Sequence, residues 1–456
     1  MANHKMSAVL TVIMIVSLLL TACAQTSTTP SDKATTDSQT QQTSTVATDI
    51  KKSISIWNCD NSFPFEDGLK NMIAKFSAVY PNIKVEYTGL PWDSAKQKFG
   101  TAIATGTAPD LAYIVQQWVG DMAATGGLVP FNSYIDNWKH KNEYNLDLIF
   151  SAGLDVNGKL FMMPFEYGTT LCWYRADWFK DAGLSAPTTF DEFFDDIDKM
   201  TDIPNGRYGY SIRGGDGASN QLECFLSAYS GAKQYFLDNG ECFVTDPKVL
   251  EGLERLVAIY KKNTPESDLT NGYAEMCAAF GSGVAAIIYH NNSSYPVLLN
   301  SLKDPKKIGA FFLPTADNGT RSMVIGSFGY AGWAMFEDSK NKDAAWQFVD
   351  FAVSADIQSE WNKLVGGLPT NLIAQDAEWI NDYPALFQIK KVLSEPNAVF
   401  NVAPAYYPDY EKIHLNTLTP GFQAVLAGQK SAKDYLAEWN DLMKKAKIDY
   451  EKSISK

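Results

Sequence analysis

The hydrophobic pattern of the first folded segment changes its period twice between residues 53 and 87. Ser53–Trp57 alternates apolar and polar positions, which predicts a strand. Residues 69–80 then carry apolar side chains three and four positions apart, the spacing of one helix face. Ile83–Tyr87 alternates again. Together the three segments predict a β-strand, α-helix, β-strand unit.

Strand and helix patterns continue along the rest of the chain. Leu111–Val115 and Val284–Tyr289 are short apolar runs, typical of buried strands. Asn157-Gly158 predicts a tight hairpin, and Thr189–Glu192 has the pattern of a capping box at the start of a helix. We therefore expect an α/β architecture with mostly parallel sheets and, because the chain has 456 residues, two domains.

The first 50 residues differ from the rest in composition. A largely apolar run from Ala8 to Val16 is shorter than the about 20 residues that a membrane span needs, so residues 1–22 are predicted to be a signal peptide. Leu20–Cys23 resembles the bacterial lipobox, which makes Cys23 the expected lipidation site; a cleaved signal with an incidental cysteine is the alternative. Residues 23–50, rich in Thr, Ser and Gln, are expected to form a flexible tether.

Charge and cysteine content narrow the class of protein. The chain has 39 Lys and Arg against 52 Asp and Glu, a net charge of −13, and no basic stripe, so nucleic acid is not an expected partner. The cysteines after Cys23 form an odd set, unlike a disulfide framework: Cys59, Cys172, Cys224, Cys242 and Cys277. We expect buried free thiols, with a single Cys224–Cys242 bridge as the alternative.

The sequence lacks the motifs of common catalytic sites. Only three histidines follow Cys23, and His140, His290 and His414 lie far apart along the chain. There is no H-E-x-x-H, paired C-x-x-C, G-x-S-x-G turn or Walker loop. We therefore expect no enzymatic activity, no metal and no cofactor.

Six motifs, in order between residues 104 and 370, give the chain a family resemblance. They resemble those of the extracellular solute-binding proteins that serve ATP-driven sugar importers, the maltose-binding-protein-like group. Each motif is weak alone, and their order makes the resemblance specific. The motifs are Ala104–Asp110, Asn157–Pro164, Trp173–Phe193, Gly283–Ile287, Lys342–Phe348 and Gly366–Thr370.

This resemblance implies two hinged α/β lobes, with the chain crossing between them near residues 165, 285 and 335. One lobe would comprise residues 51–165 plus about 285–335, and the other about 166–284 plus 336–456. We expect a monomer, and the lipobox would hold it by its lipid on the outer face of the cell membrane, on the extracellular side or in the periplasm if the cell has two membranes. The expected partners are a sugar or oligosaccharide in the cleft and the permease subunits of an ABC importer.

A sugar site needs flat aromatic rings for the C–H faces and planar polar groups for the hydroxyls. In open α/β sheets, ligands lie beyond the carboxyl ends of the strands. Applied to the predicted strands, this rule selects Trp57, Asn58, Asp60, Gln116, Gln117, Trp118, Glu166, Tyr167, Gly168, Arg213, Asp216, His290 and Asn291.

Four more aromatic residues complete the expected site. Trp92 follows the second strand, and Tyr330 lies near the third expected crossing. The resemblance implies a late aromatic pair, which Tyr406 and Tyr407 match. Of all the candidate rings, we expect those of Trp57, Trp118 and Tyr406 in particular to face the cleft.

Two alternatives remain open from the sequence. The same fold could bind a non-sugar solute, although a phosphate ligand would need a cluster of Arg and Lys in the cleft. A surface glycoside hydrolase or carbohydrate-binding module is the other, since 52 acidic residues leave room for a catalytic pair.

Overall fold

The computed structural model describes residues 51–146, 155–156, 158–325, 329–392 and 395–454. All of them belong to one compact unit, Thr48–Lys456. The predicted signal peptide, the lipobox cysteine Cys23 and the predicted tether lie outside the described residues, as does Asn157 of the predicted hairpin.

Fourteen strands form in the described residues, in two larger sheets and two small ones. They are β1 Lys52–Asn58, β2 Ile83–Gly89, β3 Leu111–Val115, β4 Asp155–Val156, β5 Lys159–Leu160, β6 Met163–Tyr167, β7 Thr170–Arg175, β8 Tyr208–Ser211, β9 Ala285–Asn291, β10 Ile308–Phe311, β11 Arg321–Ile325, β12 Tyr330–Met335, β13 Leu368–Pro369 and β14 Ala398–Val402.

The α-helices of the described residues lie mainly between these strands and at the end of the chain. They are Phe65–Val79, Trp92–Thr105, Gln116–Ala124, Asn132–Ile135, Ala176–Asp181, Phe190–Met200, Ala218–Ser230, Pro247–Ala258, Tyr273–Gly281, Tyr295–Leu302, Lys342–Ala352, Ala355–Val365, Pro384–Val392, Tyr410–Ile413, Thr419–Leu426 and Ala432–Ile454.

The six-stranded sheet has the order β13-β6-β12-β3-β1-β2. β1 pairs in parallel with both β2 and β3, so the predicted β-α-β unit is confirmed. β12 runs antiparallel to β3 and β6. The expectation of mostly parallel sheets is therefore wrong: six of the ten strand pairs among the described residues are antiparallel, and an apolar run predicts a buried strand without its direction in the sheet.

The four-stranded sheet has the order β10-β7-β9-β8. β6 and β7 are separated only by Gly168-Thr169, where the chain passes from the first sheet to the second, near the predicted crossing at 165. Asn292 holds this passage: its Oδ1 accepts a hydrogen bond from the Thr169 amide at 2.8 Å, and its Nδ2 donates to Gly366 O at 2.8 Å.

The distribution of later segments between the sheets differs from the predicted partition. β9 (285–291) pairs with β7 and β8 in the four-stranded sheet, whereas residues 285–335 were expected with the first lobe. Lys342–Ala352 buries Ala344, Phe348 and neighbours in the cluster around the six-stranded sheet, whereas residues 336–456 were expected in the second lobe. An apolar strand such as β9 fits either sheet by its pattern, and only the pairing register decides between them.

Two hydrophobic clusters form: the six-stranded sheet lies in the first, and the four-stranded sheet contributes residues to both, such as Trp173 to the first and Ile287 to the second. The first contains Ile54, Ile56 and Phe76, and the second contains Phe193, Phe225 and the C-terminal Trp439. Tyr406 packs against both clusters.

Local signals in the sequence were accurate where they depended on near neighbours. The capping box forms, with the Thr189 hydroxyl accepting from the Glu192 amide at 3.1 Å. Gly106 ends the helix Trp92–Thr105 with a φ of 68°, a left-handed conformation that favours glycine. β4 and β5 pair antiparallel as the predicted hairpin. The cysteines Cys59, Cys172, Cys224, Cys242 and Cys277 are all free and buried, as expected.

Candidate functional site

A cavity lies where the strand ends of the two larger sheets face each other. Its volume is about 100 Å³, or about 800 Å³ when the adjoining space open to solvent is included. One wall comes from the six-stranded sheet and its loops, with Asp60, Trp92, Tyr113, Gln117 and Glu166. The other comes from the four-stranded sheet and its loops, with Arg213, Tyr273, His290, Asn291 and Ser293. We call these the acidic wall and the basic wall.

Asp60 lies in the loop after β1, and its neighbours fix this loop. The side-chain Nδ2 of Asn58 donates to the backbone oxygen of Asp60 at 2.6 Å, and the side-chain Oδ1 of Asn58 accepts from the backbone amide of Asp60 at 3.2 Å. The Asp60 carboxylate accepts from the amide and hydroxyl of Ser62 at 2.8 and 2.6 Å. Burial raises the pKa of Asp60, an effect that these hydrogen bonds from Ser62 partly offset.

Glu166 lies near the end of β6, deep in the acidic wall, with 7% of its surface exposed. The indole Nε1 of Trp361 donates to its Oε2 at 2.8 Å. Burial raises the pKa of Glu166 to about 7, while hydrogen bonds from Trp361 and Tyr113 act in the opposite direction. Glu166 is therefore partly protonated near neutral pH and can both accept and donate a hydrogen bond.

The basic wall is built on a pair of buried side chains, Arg213 and His290. Arg213 Nη1 lies 3.1 Å from His290 Nε2. Since a guanidinium only donates, Nε2 accepts, so Nδ1 carries the proton and donates to Ser294 Oγ at 2.7 Å. Burial and then the Arg213 charge lower the pKa of His290 well below its usual range, which keeps the imidazole neutral. The Tyr273 ring stacks on this imidazole at 4.5 Å.

Comparison with known proteins places the chain in one family. The model of the bacterial extracellular solute-binding proteins matches residues 64–359, more than half of the chain. The chain belongs to this family. The outcome confirms the resemblance seen in the sequence, including the fold that it implied.

Relatives and solved structures of this family support the assignment. A mannitol-binding protein of Pseudomonas aeruginosa is 27% identical over 61% of this chain and 64% of its own length. An erythritol/L-threitol-binding protein of Mycolicibacterium smegmatis is 23% identical over 67% of each. The structure of an ABC transporter solute-binding protein from Thermotoga lettingae bound with α-D-tagatose has a TM-score of 0.74, 22% identity, and coverage of 87% of this chain and 99% of that one.

Nine of the residues that the sequence selected for this solute-binding protein line the cavity. They are Asp60, Trp92, Gln117, Glu166, Gly168, Arg213, His290, Asn291 and Tyr330. Gly168 lies where the chain passes from β6 to β7, and its backbone amide donates to Gly329 O at 2.8 Å. A role for these residues in binding stays a prediction.

The other selected residues lie outside the cavity lining. Trp118 is buried behind Trp92, at ring distances of 5.2 Å from Trp92 and 6.3 Å from Phe99. The Trp57 ring packs against Phe99 at 5.7 Å. The expectation that both rings face the cavity is not met. At Trp118 the reason is that Gln116 begins a helix, where successive residues point about 100° apart, so that Gln117 reaches the cavity instead.

The remaining selected residues have other positions. Gln116 Oε1 accepts from the Tyr330 amide at 3.1 Å, and Tyr167 packs on the Tyr330 ring at 5.2 Å. Asn58 holds the Asp60 loop. Asp216, in the loop Gly214–Gly217, lies outside the lining, although its charge acts on Arg213 and opposes the lowering of that pKa by burial. Tyr406 and Tyr407 also lie outside the lining and pack on Tyr450 at 5.2 and 4.9 Å.

The structure adds residues to this site that sequence reasoning missed. Phe65 and Tyr273 line the cavity from the first residues of two helices, and Tyr113 lies within β3. Strand-end reasoning does not reach helix starts. A weak signal exists for Tyr273, since Gly272 followed by Glu275 resembles a helix start.

Neither a membrane-spanning helix nor a metal cluster occurs in the described part of the chain. Among those residues, no helix combines the length and apolar character that a bilayer crossing requires. Within the same ranges, no group of three His, Cys, Asp or Glu side chains could hold a metal ion.

Proposed function

We propose that this protein binds an uncharged sugar or polyol in the cavity between the acidic and basic walls and delivers it unchanged to the permease of an ABC importer. The observation that carries the proposal is the combination of rings and planar polar groups around one cavity. Trp92, Tyr113 and Tyr273 offer flat faces for C–H surfaces. Asp60, Gln117 and Asn291 offer acceptors and donors for hydroxyl groups.

The charges around the cavity favour an uncharged ligand. The lining carries the carboxyl groups of Asp60 and Glu166 and the guanidinium of Arg213, on which the charges of Asp216 and Asp93 also act, while His290 is held neutral. A phosphorylated ligand would need several cations, and among the described residues the lining contains Arg213 without a second Lys or Arg. The relatives that bind erythritol, threitol and mannitol also have uncharged ligands by name.

The transport step rests on lobe closure. In this proposal the two larger sheets belong to different lobes, and the passages between β6 and β7, β10 and β12, and β13 and β14 would serve as the hinge. A ligand that contacts both walls favours the closed form, and the permease recognises that form. The lobe boundaries in this proposal follow the sheets, and replace those expected from the sequence.

The proposed location is the outer face of the cell membrane. Cleavage before Cys23 and lipidation of its thiol would anchor the chain, and residues 24–50 would hold the folded part away from the bilayer. Radiolabelled palmitate in growing cells tests this step: Cys23→Ser should abolish incorporation, and label that persists in the variant would contradict it.

Calorimetric titration tests the binding proposal. The panel pairs neutral sugars with charged relatives: glucose with glucuronate and with glucosamine, and mannitol with mannitol 1-phosphate. We expect at least one neutral member to bind and its charged counterpart to bind at least tenfold more weakly, because moving an additional charge from water into the cavity costs free energy. Preference for a charged member would contradict the proposal.

A glycoside hydrolase is the second candidate, because Asp60 and Glu166 share the cavity and the pKa of Glu166 is raised to about 7. We rank it below binding, since Trp361 holds the Glu166 carboxyl and the family consists of binding proteins. Incubation with maltose, lactose and mannotriose, followed by chromatography, separates the two candidates. Unchanged sugars are expected; released monosaccharide would favour the hydrolase.

A further inference from the structure

On the side of the cavity formed by Trp92, the two lobes touch. The Trp92 ring packs against the Trp118 ring at 5.2 Å. Trp118 lies in the helix Gln116–Ala124, and Gly120 of that helix approaches residues 405–406 of the other lobe. A Cβ atom at Gly120 would lie 2.7 Å from Ala405 O and 2.8 Å from Tyr406 O. Real Cβ contacts are longer than this, so only glycine allows the helix Gln116–Ala124 to approach the backbone of residues 405–406.

An ion pair crosses between the lobes next to this contact. Asp121 Oδ1 accepts from Lys412 Nζ at 2.8 Å, and Asp121 Oδ2 lies 3.6 Å from Lys96 Nζ. Lys96 belongs to the helix that starts with Trp92, and burial lowers its pKa. Lys412 lies in the helix Tyr410–Ile413, and we assign it to the second lobe because Tyr410 of this helix is buried in the cluster that contains Phe193 and Trp439. We call Gly120, Asp121 and Lys412 the latch.

The latch lies on the Trp92 side of the cavity, where it joins the two lobes. The enclosed cavity has a volume of about 100 Å³, less than the roughly 150 Å³ of an apolar cavity that holds one benzene molecule, so a single sugar ring already extends into the adjoining space open to solvent. Pockets for drug-sized ligands enclose about 300–1,000 Å³, a range that this cavity reaches only when the space open to solvent is added.

We propose that the cavity accepts one sugar ring or one linear polyol, and that the latch excludes di- and trisaccharides by holding the lobes together beside Trp92. This inference rests on the proposed function and narrows its ligand class. The latch residues lie outside the cavity lining, so they act on binding by positioning the two walls.

A length series tests the size limit on the unmodified protein. Calorimetry compares mannose, mannobiose and mannotriose; glucose, maltose and maltotriose; galactose and lactose; and the polyols erythritol, ribitol and mannitol. A single-unit ligand is expected to bind best, with each longer relative at least tenfold weaker. A trisaccharide that binds as tightly as its single unit overturns the size limit and leaves the proposed function intact. If no member binds, the proposed function fails, and this inference fails with it.

Substitutions in the latch test its role. Gly120→Ala should weaken the best single-unit ligand by about tenfold, because the bound, closed form loses population. Gly100→Ala is the matched control, since Gly100 is a helical glycine with nothing within 4 Å of an added Cβ. Its affinity should not change. Unchanged affinity in Gly120→Ala overturns the latch.

A second variant guards against a folding defect at Gly120. Asp121→Asn removes the charge without adding volume and should weaken the same ligand by about two- to fivefold, an effect that shrinks in high salt. Far-UV circular dichroism shows whether each variant is folded. Folded Asp121→Asn protein with unchanged affinity at low salt contradicts the role of the ion pair.

Discussion

The two walls of the cavity contrast in charge and in how their polar groups are held. The acidic wall carries Asp60 and Glu166 beside large rings, and its carboxylates accept hydrogen bonds from neighbours in the same lobe. The basic wall carries Arg213 and a neutral His290, with the Tyr273 ring stacked on the imidazole. Each wall supplies mainly one kind of hydrogen-bonding partner.

This difference explains why a hydroxyl-rich ligand suits the closed cavity. A hydroxyl group both donates and accepts, so it can satisfy a carboxylate on one side and a guanidinium on the other. A ligand that contacts only one wall leaves the buried groups of the opposite wall without compensation for their lost water. In the proposed function, the contrast between the walls therefore couples binding to closure.

The substitution Arg213→Met breaks the contrast most strongly. It leaves the acidic wall without an opposing cation and should weaken binding of the best neutral ligand by about 2–4 kcal/mol in calorimetry. Arg207→Met is the control with the same change of charge, because Arg207 pairs with Asp202 away from the cavity lining. Equal affinities for wild type and Arg213→Met would contradict a role for the basic wall.

Removal of the largest ring on the acidic wall comes next. Trp92→Ala should cost about 1–3 kcal/mol of binding free energy, since the ring is expected to stack on the ligand. Trp346→Ala serves as the control: this ring packs on Phe131 and Tyr134 and should affect stability alone. If both variants bind equally well, Trp92 is not part of the site.

The site and fold were predictable from the sequence to different degrees. Residues at strand ends, such as Asp60, Arg213 and His290, were found because the carboxyl ends of strands gather at one edge of a sheet. The directions of side chains on a helix were not found: Gln117 faces the cavity while Trp118 packs behind Trp92, and this depends on the residue at which the helix begins.

Long-range pairing limited the predictions further. Tyr273 stacks on His290 although the two residues lie on separate elements, and no local pattern indicates which helix start will meet which strand end. The partition into lobes had the same weakness, since the apolar run of β9 suits either sheet. Motif order gave the family correctly because it sums many weak local signals.

The pH dependence of stability sharpens the comparison between the walls. The pKa of Glu166 rises from 4.5 when unfolded to about 7 when folded, so the folded state binds its proton more tightly. This contribution to stability is complete below pH 4.5 and is lost as the pH rises to about 7, at about 1 kcal/mol per pH unit. The free energy of unfolding of Glu166→Gln, measured in urea, should therefore fall less steeply than that of the wild type between pH 4.5 and 7.

The acids Asp268 and Glu411, whose pKa values are also raised to about 7, act as internal controls. Because of these two acids, the free energy of unfolding of Glu166→Gln should still fall as the pH rises, although less steeply than in the wild type. A slope identical to that of the wild type would show that Glu166 keeps its charge in the folded protein throughout this pH range, which would contradict its raised pKa.

The smallest expected effect concerns His414, a buried histidine outside the cavity lining whose surroundings resemble those of His290. His414, like His290, is buried and has its Nδ1 beside a serine hydroxyl, at 2.9 Å from Ser219 Oγ. Its other nitrogen faces Glu223 at 3.6 Å instead of an arginine. Ser219→Ala should reduce the free energy of unfolding by about 1 kcal/mol and leave ligand affinity unchanged. A loss of affinity would show that this cluster also acts on binding.

Whether the ligand bridges both walls can be seen in a crystal structure of the protein with its best neutral ligand. We predict one sugar ring or linear polyol between Trp92 and the basic wall, with hydroxyl groups hydrogen-bonded to both Asp60 and Arg213. A ligand that contacts one wall only, or that lies outside this cavity, would contradict the coupling of binding to closure.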